Sequence, residues 1–172
     1  MQKQKSKTLF IAQAGIIAAL YAVLCIVLAP ISYSAIQVRV AEALCILPYF
    51  TPAAIPGLTV GCLVANIYGS GIFDIVFGTL ATLIGAVGSY ALRRHKYLVP
   101  VPPIVANTVI IPFVIKYATV DPVTGESIAI DDTIPFLMMT IAIGEIIAVG
   151  ILGIALMLAL EKSSKVIFAK PE

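Results

Sequence analysis

A carboxylate in the middle of a hydrocarbon run is the first piece of chemistry this chain offers. Glu145 lies near the midpoint of the apolar segment 134–160, where burying a charge costs at least ~2.5 kcal/mol even on the lenient insertion scales. A side chain held there serves a cavity, a partner or a substrate. Glu42 and Asp74 add two more acids within or at the edge of apolar runs, Arg39 precedes Glu42 by three residues, and Asn66 and Asn107 add amides. Carboxylates accept, guanidinium donates, and amides do both, so this set can read a small polar molecule that presents several donors and acceptors at once. Simpler roles stand beside that one. Arg39 and Glu42, at i and i+3, can neutralise each other on one helix face. Asp74 can cap or snorkel beside the glycine turn 69–71, and the asparagines can bridge helices. Glu145 has no Lys or Arg partner at its depth in the other apolar runs, which leaves it the leading ligand candidate.

The elements that must carry these residues are membrane spans. With 60% hydrophobic and 12% charged residues and a mean hydropathy of +1.07, the composition excludes a soluble globular core and predicts an all-α, polytopic membrane protein. The 172 residues leave room for one compact transmembrane domain, expected over 1–172 as the substrate-binding unit, with nothing resembling a linker or a polar second domain. Apolar runs over 9–30, 38–50, 56–68, 72–92, 98–117 and 134–160 predict about six transmembrane helices. The second and third are short enough to be re-entrant instead.

Charge placement tests that count. Lys3, Lys5 and Lys7 precede the first run; Arg93, Arg94 and Lys96 separate the fourth and fifth; Lys162, Lys165 and Lys170 follow the sixth. Six spans with both termini cytoplasmic put all three clusters inside, as the positive-inside rule requires. The segment 118–133, with Asp121, Glu126, Asp131 and Asp132, then faces outward. Arg39, Glu42, Asn66 and Asp74 fall near the outer ends of their helices, and Glu145 lies about 16 Å deep at ~1.5 Å per residue, with Asn107 at similar depth. The polar groups thus describe a cavity open to the outside. The lysines, apolar run and Ser34-Ala35 mimic a signal peptide, but the run exceeds the usual ~7–15 residues and is expected to be a retained helix.

Enzyme chemistry finds no footing, so no catalytic residue, metal site or cofactor is expected in this chain. The single histidine, His95, sits in the basic loop away from the acids, and no phosphate-binding G-x-x-x-x-G-K-[ST] loop occurs. Any ATP must be used by a partner. Cys25, Cys45 and Cys62 lack metal or redox spacing and read as packing residues. On the first helix Ala14, Ala18 and Ala22, with Gly15 and Ala19 alongside, form a small-residue stripe. It suits either close internal packing or docking of another membrane protein. Gly57, Gly61, Gly85 and Gly88 read as packing or hinge positions.

The strings AIQVRVAEALCILPYFTPAAIPGLTVGCLVANIYG, GIFDIVFGTLATLIGA and GEIIAVGILG resemble the QueT family, the queuosine-precursor transporters among the substrate-binding (S) components of energy-coupling-factor transporters. The resemblance covers nearly the whole chain. It implies an S-component-like six-helix bundle in the cell membrane that captures a 7-deazaguanine base such as preQ0, preQ1 or queuine. It also implies a transmembrane coupling subunit and two ABC-type ATPases as partners, with membrane lipid around the bundle and no nucleic-acid role. The docking role of an S-component's first helix then falls on Ala14 and Ala18, with Ala22 beside them. A guanine-like edge presents two adjacent donors, for which Glu145 is the expected acceptor and Glu42 the second. Asn107 or Asn66 can donate to the ring carbonyl, and Asp74 or Glu42 can meet an aminomethyl ammonium. With no Trp in the chain, stacking falls to Tyr33, Tyr49, Tyr68 or Phe73. Another purine or a pteridine would meet the same groups. A proton-coupled secondary transporter using Glu145 or Asp74, or a scaffold that binds no small molecule, are the competing classes.

Overall fold

The computed structural model describes residues 2–28, 39–69, 71–118 and 132–163, and no strand occurs among them. Four helices are long and apolar enough to cross a membrane: α1 (Gln2–Val27), α4 (Asp74–Ala91), α5 (Val101–Ala118) and α6 (Ile134–Glu161). Two shorter apolar helices, α2 (Val40–Tyr49) and α3 (Ala54–Gly69), make up the six expected from hydropathy. Tyr33, and the acidic residues Asp121, Glu126 and Asp131, lie outside the described residues.

The second helix departs from an ordinary span. It is a 3-10 helix of 10 residues, and all of 41–48 is buried, Glu42 included. Runs longer than three or four residues are uncommon in this geometry, but its rise of about 2 Å per residue lets a short segment reach further than an α-helix would. Pro48, inside it, has no N–H to offer a longer-range ladder. A helix apolar on every side belongs in a core, so α2 is the post around which the others pack and not a lipid-facing rod. Leu44, Ile46 and Leu47 join Ile17 and Tyr21 of α1, Leu58 of α3, and Val149 and Met157 of α6 in the main core.

Helices in lipid gain no hydrophobic advantage from meeting, so close backbone approach must hold them together. At Gly57 and Gly61 a Cβ would stand 2.9 and 2.8 Å from the carbonyl oxygens of Ala14 and Ala18. The alanine stripe is therefore applied to α3: Ala22 is buried, Ala14 and Ala18 are half-buried. Gly15 and Ala19 occupy the open side of the same helix, with no heavy atom within 4 Å of a Cβ built on Gly15. Between α4 and α5 the same device recurs, Gly85 and Gly88 receiving Pro103 and Pro102. On the free faces Ile11, Ile16, Val27, Val76 and Ile151 stay exposed, as a lipid-contacting surface requires.

Two long helices change pitch next to an acid. α4 opens with the π turn Asp74–Gly78, and α6 passes into a π segment, Ile146–Gly153, directly after Glu145. Widened turns of this kind concentrate at functional sites because they re-aim neighbouring side chains. At the end of the bundle carrying the 93–96 turn, Lys96 Nζ meets both carboxylate oxygens of Glu161 at 3.1 and 3.2 Å, and Tyr49 Oη donates to Glu161 Oε1 at 3.1 Å. That cluster pins the ends of α2 and α6 to the start of α5.

Candidate functional site

The cavity that collects the polar groups lies where α5 and α6 face the start of α2. Asn107 Nδ2 donates to Glu145 Oε1 at 3.0 Å, both side chains being buried. Glu145 Oε2 is buried as well and has no hydrogen-bond partner. Arg39 lines the same cavity with Asn107, Ile111, Ile141 and Glu145. Its guanidinium makes no hydrogen bond or ion pair within 4 Å to any described residue. An acid with an oxygen lacking a donor and a guanidinium without a close partner among the described residues therefore line one space. Buried polar atoms are nearly always satisfied, and an exception inside a cleft points to an absent partner. The cavity itself is only about 20 Å³, room for about one water. Ligand pockets are ordinarily about 300–1,000 Å³, so a base enters only if Ile111 and Ile141 give way along the α5–α6 seam.

Glu42 is placed differently from expectation. Its Oε1 accepts a short hydrogen bond from Tyr21 Oη and its Oε2 accepts from Cys45 Sγ at 2.9 Å. Both oxygens are engaged, only 1% of its surface is exposed, and it lies off the wall of the Arg39–Glu145 cavity. Nor does it form an ion pair within 4 Å with Arg39 across the first turn, although the spacing allows it; the two are only in electrostatic range. The hydrogen bond between them is through the backbone, Glu42 N–H donating to Arg39 O at 2.9 Å.

The remaining candidates scatter. Asp74 is half-buried at the start of α4, within electrostatic range of Arg39 but not on the cavity wall. Asn66 Nδ2 donates to Asp74 O at 3.0 Å and to Cys62 Sγ at 3.5 Å, so it stitches α3 to the π turn. Tyr68 is 76% exposed, away from the cavity. Phe73 stacks on Phe77 with centroids 6.4 Å apart and borders a lateral depression of about 470 Å³ with Phe113 and Tyr117. That depression is larger than the Arg39–Glu145 cavity but almost wholly apolar, with little to orient a polar ligand. The cysteines do more than fill space: Cys45 donates to Glu42, and Cys62 accepts from Thr82 Oγ1 at 3.2 Å.

Sequence reasoning passed over Tyr21, Ile111 and Ile141. A phenol within a first span whose other polar side chain is Gln13 was the available signal for Tyr21; the two isoleucines carry none, since they look like any other core residue.

The model of the family described as "QueT transporter" matches residues 11–162. The chain is 39% identical over 83 residues to the queuosine precursor transporter QueT of Lactococcus lactis subsp. cremoris (strain MG1363). That alignment spans 47% of this chain and about half, 49%, of the relative's length. No solved structure matches the chain. With four helices able to cross a membrane and a family model covering most of its length, the chain is a multi-pass membrane protein that belongs to the QueT transporter family.

Proposed function

We propose that this protein is the substrate-capture component of an energy-coupling-factor type importer in the cell membrane, and that it binds a queuosine precursor, a 7-deazaguanine base, from outside. The observation that supports the reading is a cavity lined by both Glu145, whose Oε2 has no hydrogen-bond donor, and Arg39, whose guanidinium makes no hydrogen bond or ion pair within 4 Å to the described residues. A lactam edge of the guanine type offers a ring N–H and an amino group to a carboxylate, and a carbonyl oxygen to a guanidinium. Asn107 holds Glu145 Oε1 and so keeps the other oxygen turned toward the space. The name carried by the lactococcal relative agrees with this ligand class.

Transport then needs no chemistry in the chain itself. The ligand is held in the plane set by Glu145 and Arg39, and Ile111 and Ile141 close over it to exclude water. Coupling falls to partners, a transmembrane coupling subunit and two ATPases, with α1 as the docking helix. Its alanine carbonyls lean on α3, so the partner meets the half-buried edges of Ala14 and Ala18 together with exposed Gly15 and Ala19.

Calorimetric titration of the detergent-solubilised protein with 7-cyano- and 7-aminomethyl-7-deazaguanine, queuine and guanine tests this, with Glu145→Gln alongside. Binding of a deazaguanine that the variant loses is expected. A well-folded protein that binds none of them refutes the assignment, and proton-gradient-driven uptake without any ATPase would replace it with a secondary transporter.

A further inference from the structure

The buried acid left out of the ligand cavity is tied to it through the backbone. Tyr21 is fully buried on α1, and its Cβ lies 2.8 Å from where a Cβ on Gly61 would stand, so the ring is seated in a notch that only glycine leaves open. From that notch its hydroxyl donates to Glu42 Oε1, while Cys45 Sγ donates to Oε2. Glu42 N–H in turn donates to the carbonyl of Arg39 and closes the first turn of α2. Arg39 has no side-chain hydrogen bond or ion pair of its own to the described residues. Its place on the cavity wall rests on the turn that Glu42 anchors.

We infer that the Tyr21–Glu42 hydrogen bond positions Arg39 in the ligand cavity, which makes Tyr21 and Glu42 positioning residues for recognition and leaves Glu145 as the ligand's carboxylate. This rests on the ligand reading proposed above. A carboxylate in a core this dry is tolerable only because two donors meet it. Removing the phenol hydroxyl leaves one oxygen unmet, and the first turn of α2 must shift to find a substitute. The shift is transmitted to Arg39 three residues earlier, and it links ligand reading to α1, the helix assigned to docking.

Two conservative variants separate this role from direct contact. In the full-length protein, Tyr21→Phe should weaken binding of 7-cyano-7-deazaguanine or 7-aminomethyl-7-deazaguanine by about tenfold, the scale of one buried hydrogen bond. Glu42→Gln keeps an oxygen that accepts from Tyr21 and should stay within about threefold of the wild type. In an Arg39→Gln background, Tyr21→Phe should cause no further loss, because the residue it positions is gone. Met157→Ala, which opens the core away from the cavity, supplies a variant of lowered melting temperature whose affinity should hold. The reverse pattern, with Glu42→Gln abolishing binding and Tyr21→Phe harmless, overturns the inference in favour of direct ligand contact by Glu42. So does a Tyr21→Phe loss that Met157→Ala reproduces at equal melting temperature. A wild type that binds neither base removes the ligand reading and the positioning role together; a wild type that binds while Tyr21→Phe is unaffected removes only the latter.

Discussion

Glu42 and Glu145 are equally out of place by hydropathy and almost equally buried, at 1% and 7% exposure, yet the structure treats them in opposite ways. Around Glu42 both oxygens are met, by a phenol from α1 and a thiol from the same helix. Around Glu145 one oxygen is met by Asn107 and the other has no donor, and the residue lines a small cavity with Arg39. Burial therefore does not distinguish a binding group from a structural one. Under the proposed function the satisfaction of its lone pairs separates the two, because a buried acceptor without a donor forfeits about 1–3 kcal/mol that a partner can restore.

That contrast can be broken most sharply at Glu145. Replacing it with Gln should cut base affinity by about 100-fold, or ~2.7 kcal/mol, while the melting temperature holds or rises because a buried charge disappears. A variant that melts markedly lower would place Glu145 among the structural acids. On the other side of the comparison, Gly61→Leu drives a side chain into Ala18 O and Tyr21 Cβ and should destabilise the fold by about 1–3 kcal/mol through overpacking. Thermal unfolding monitored by circular dichroism reads this directly, and an unchanged midpoint would show that α1 can shift without loss. Arg39→Lys keeps the charge but loses the planar fork; about tenfold weaker binding at unchanged melting temperature is expected by calorimetry, and full affinity would mean that only charge is read. Glu161→Gln, at the far end of the bundle, should leave affinity unchanged and barely move the melting temperature, since part-exposed ion pairs contribute little. Any loss of binding there would extend the site well beyond its present boundary.

Much of this architecture was legible in the chain. The six apolar runs became the six helices, with boundaries within about three residues except at the start of α1, which begins at Gln2 and not at residue 9, because helical spans follow from the local density of apolar side chains and from breakers such as 69–71. Glu145 and Asn107 were also legible, as polar groups at matching depth on the fifth and sixth runs, and they meet at 3.0 Å. The character of α2 was not. Its run reads as a short span, and its burial on all sides depends on neighbours that composition does not name. Asn66 and Tyr68 illustrate the same limit: both sit on polar-looking positions of α3, but one turns inward to Asp74 O and the other stands 76% exposed. Helical rotation of about 100° per residue separates such outcomes, and it is set by packing.

By itself the sequence determined the class of solvent this chain folds in, the number and placement of its helices, and the short set of acids and amides able to recognise a polar ligand. These are sums over neighbouring residues, and the bilayer enforces them segment by segment. Only the tertiary structure decided which acid is free. Tyr21 and Glu42 are 21 residues apart, and Asn107 and Glu145 are 38 apart; whether a lone pair finds its donor across such separations depends on which helix faces meet. Here that is settled by close approaches such as Gly61 of α3 against Ala18 and Tyr21 of α1: the small residues are visible in the sequence, but the partner each one meets is not.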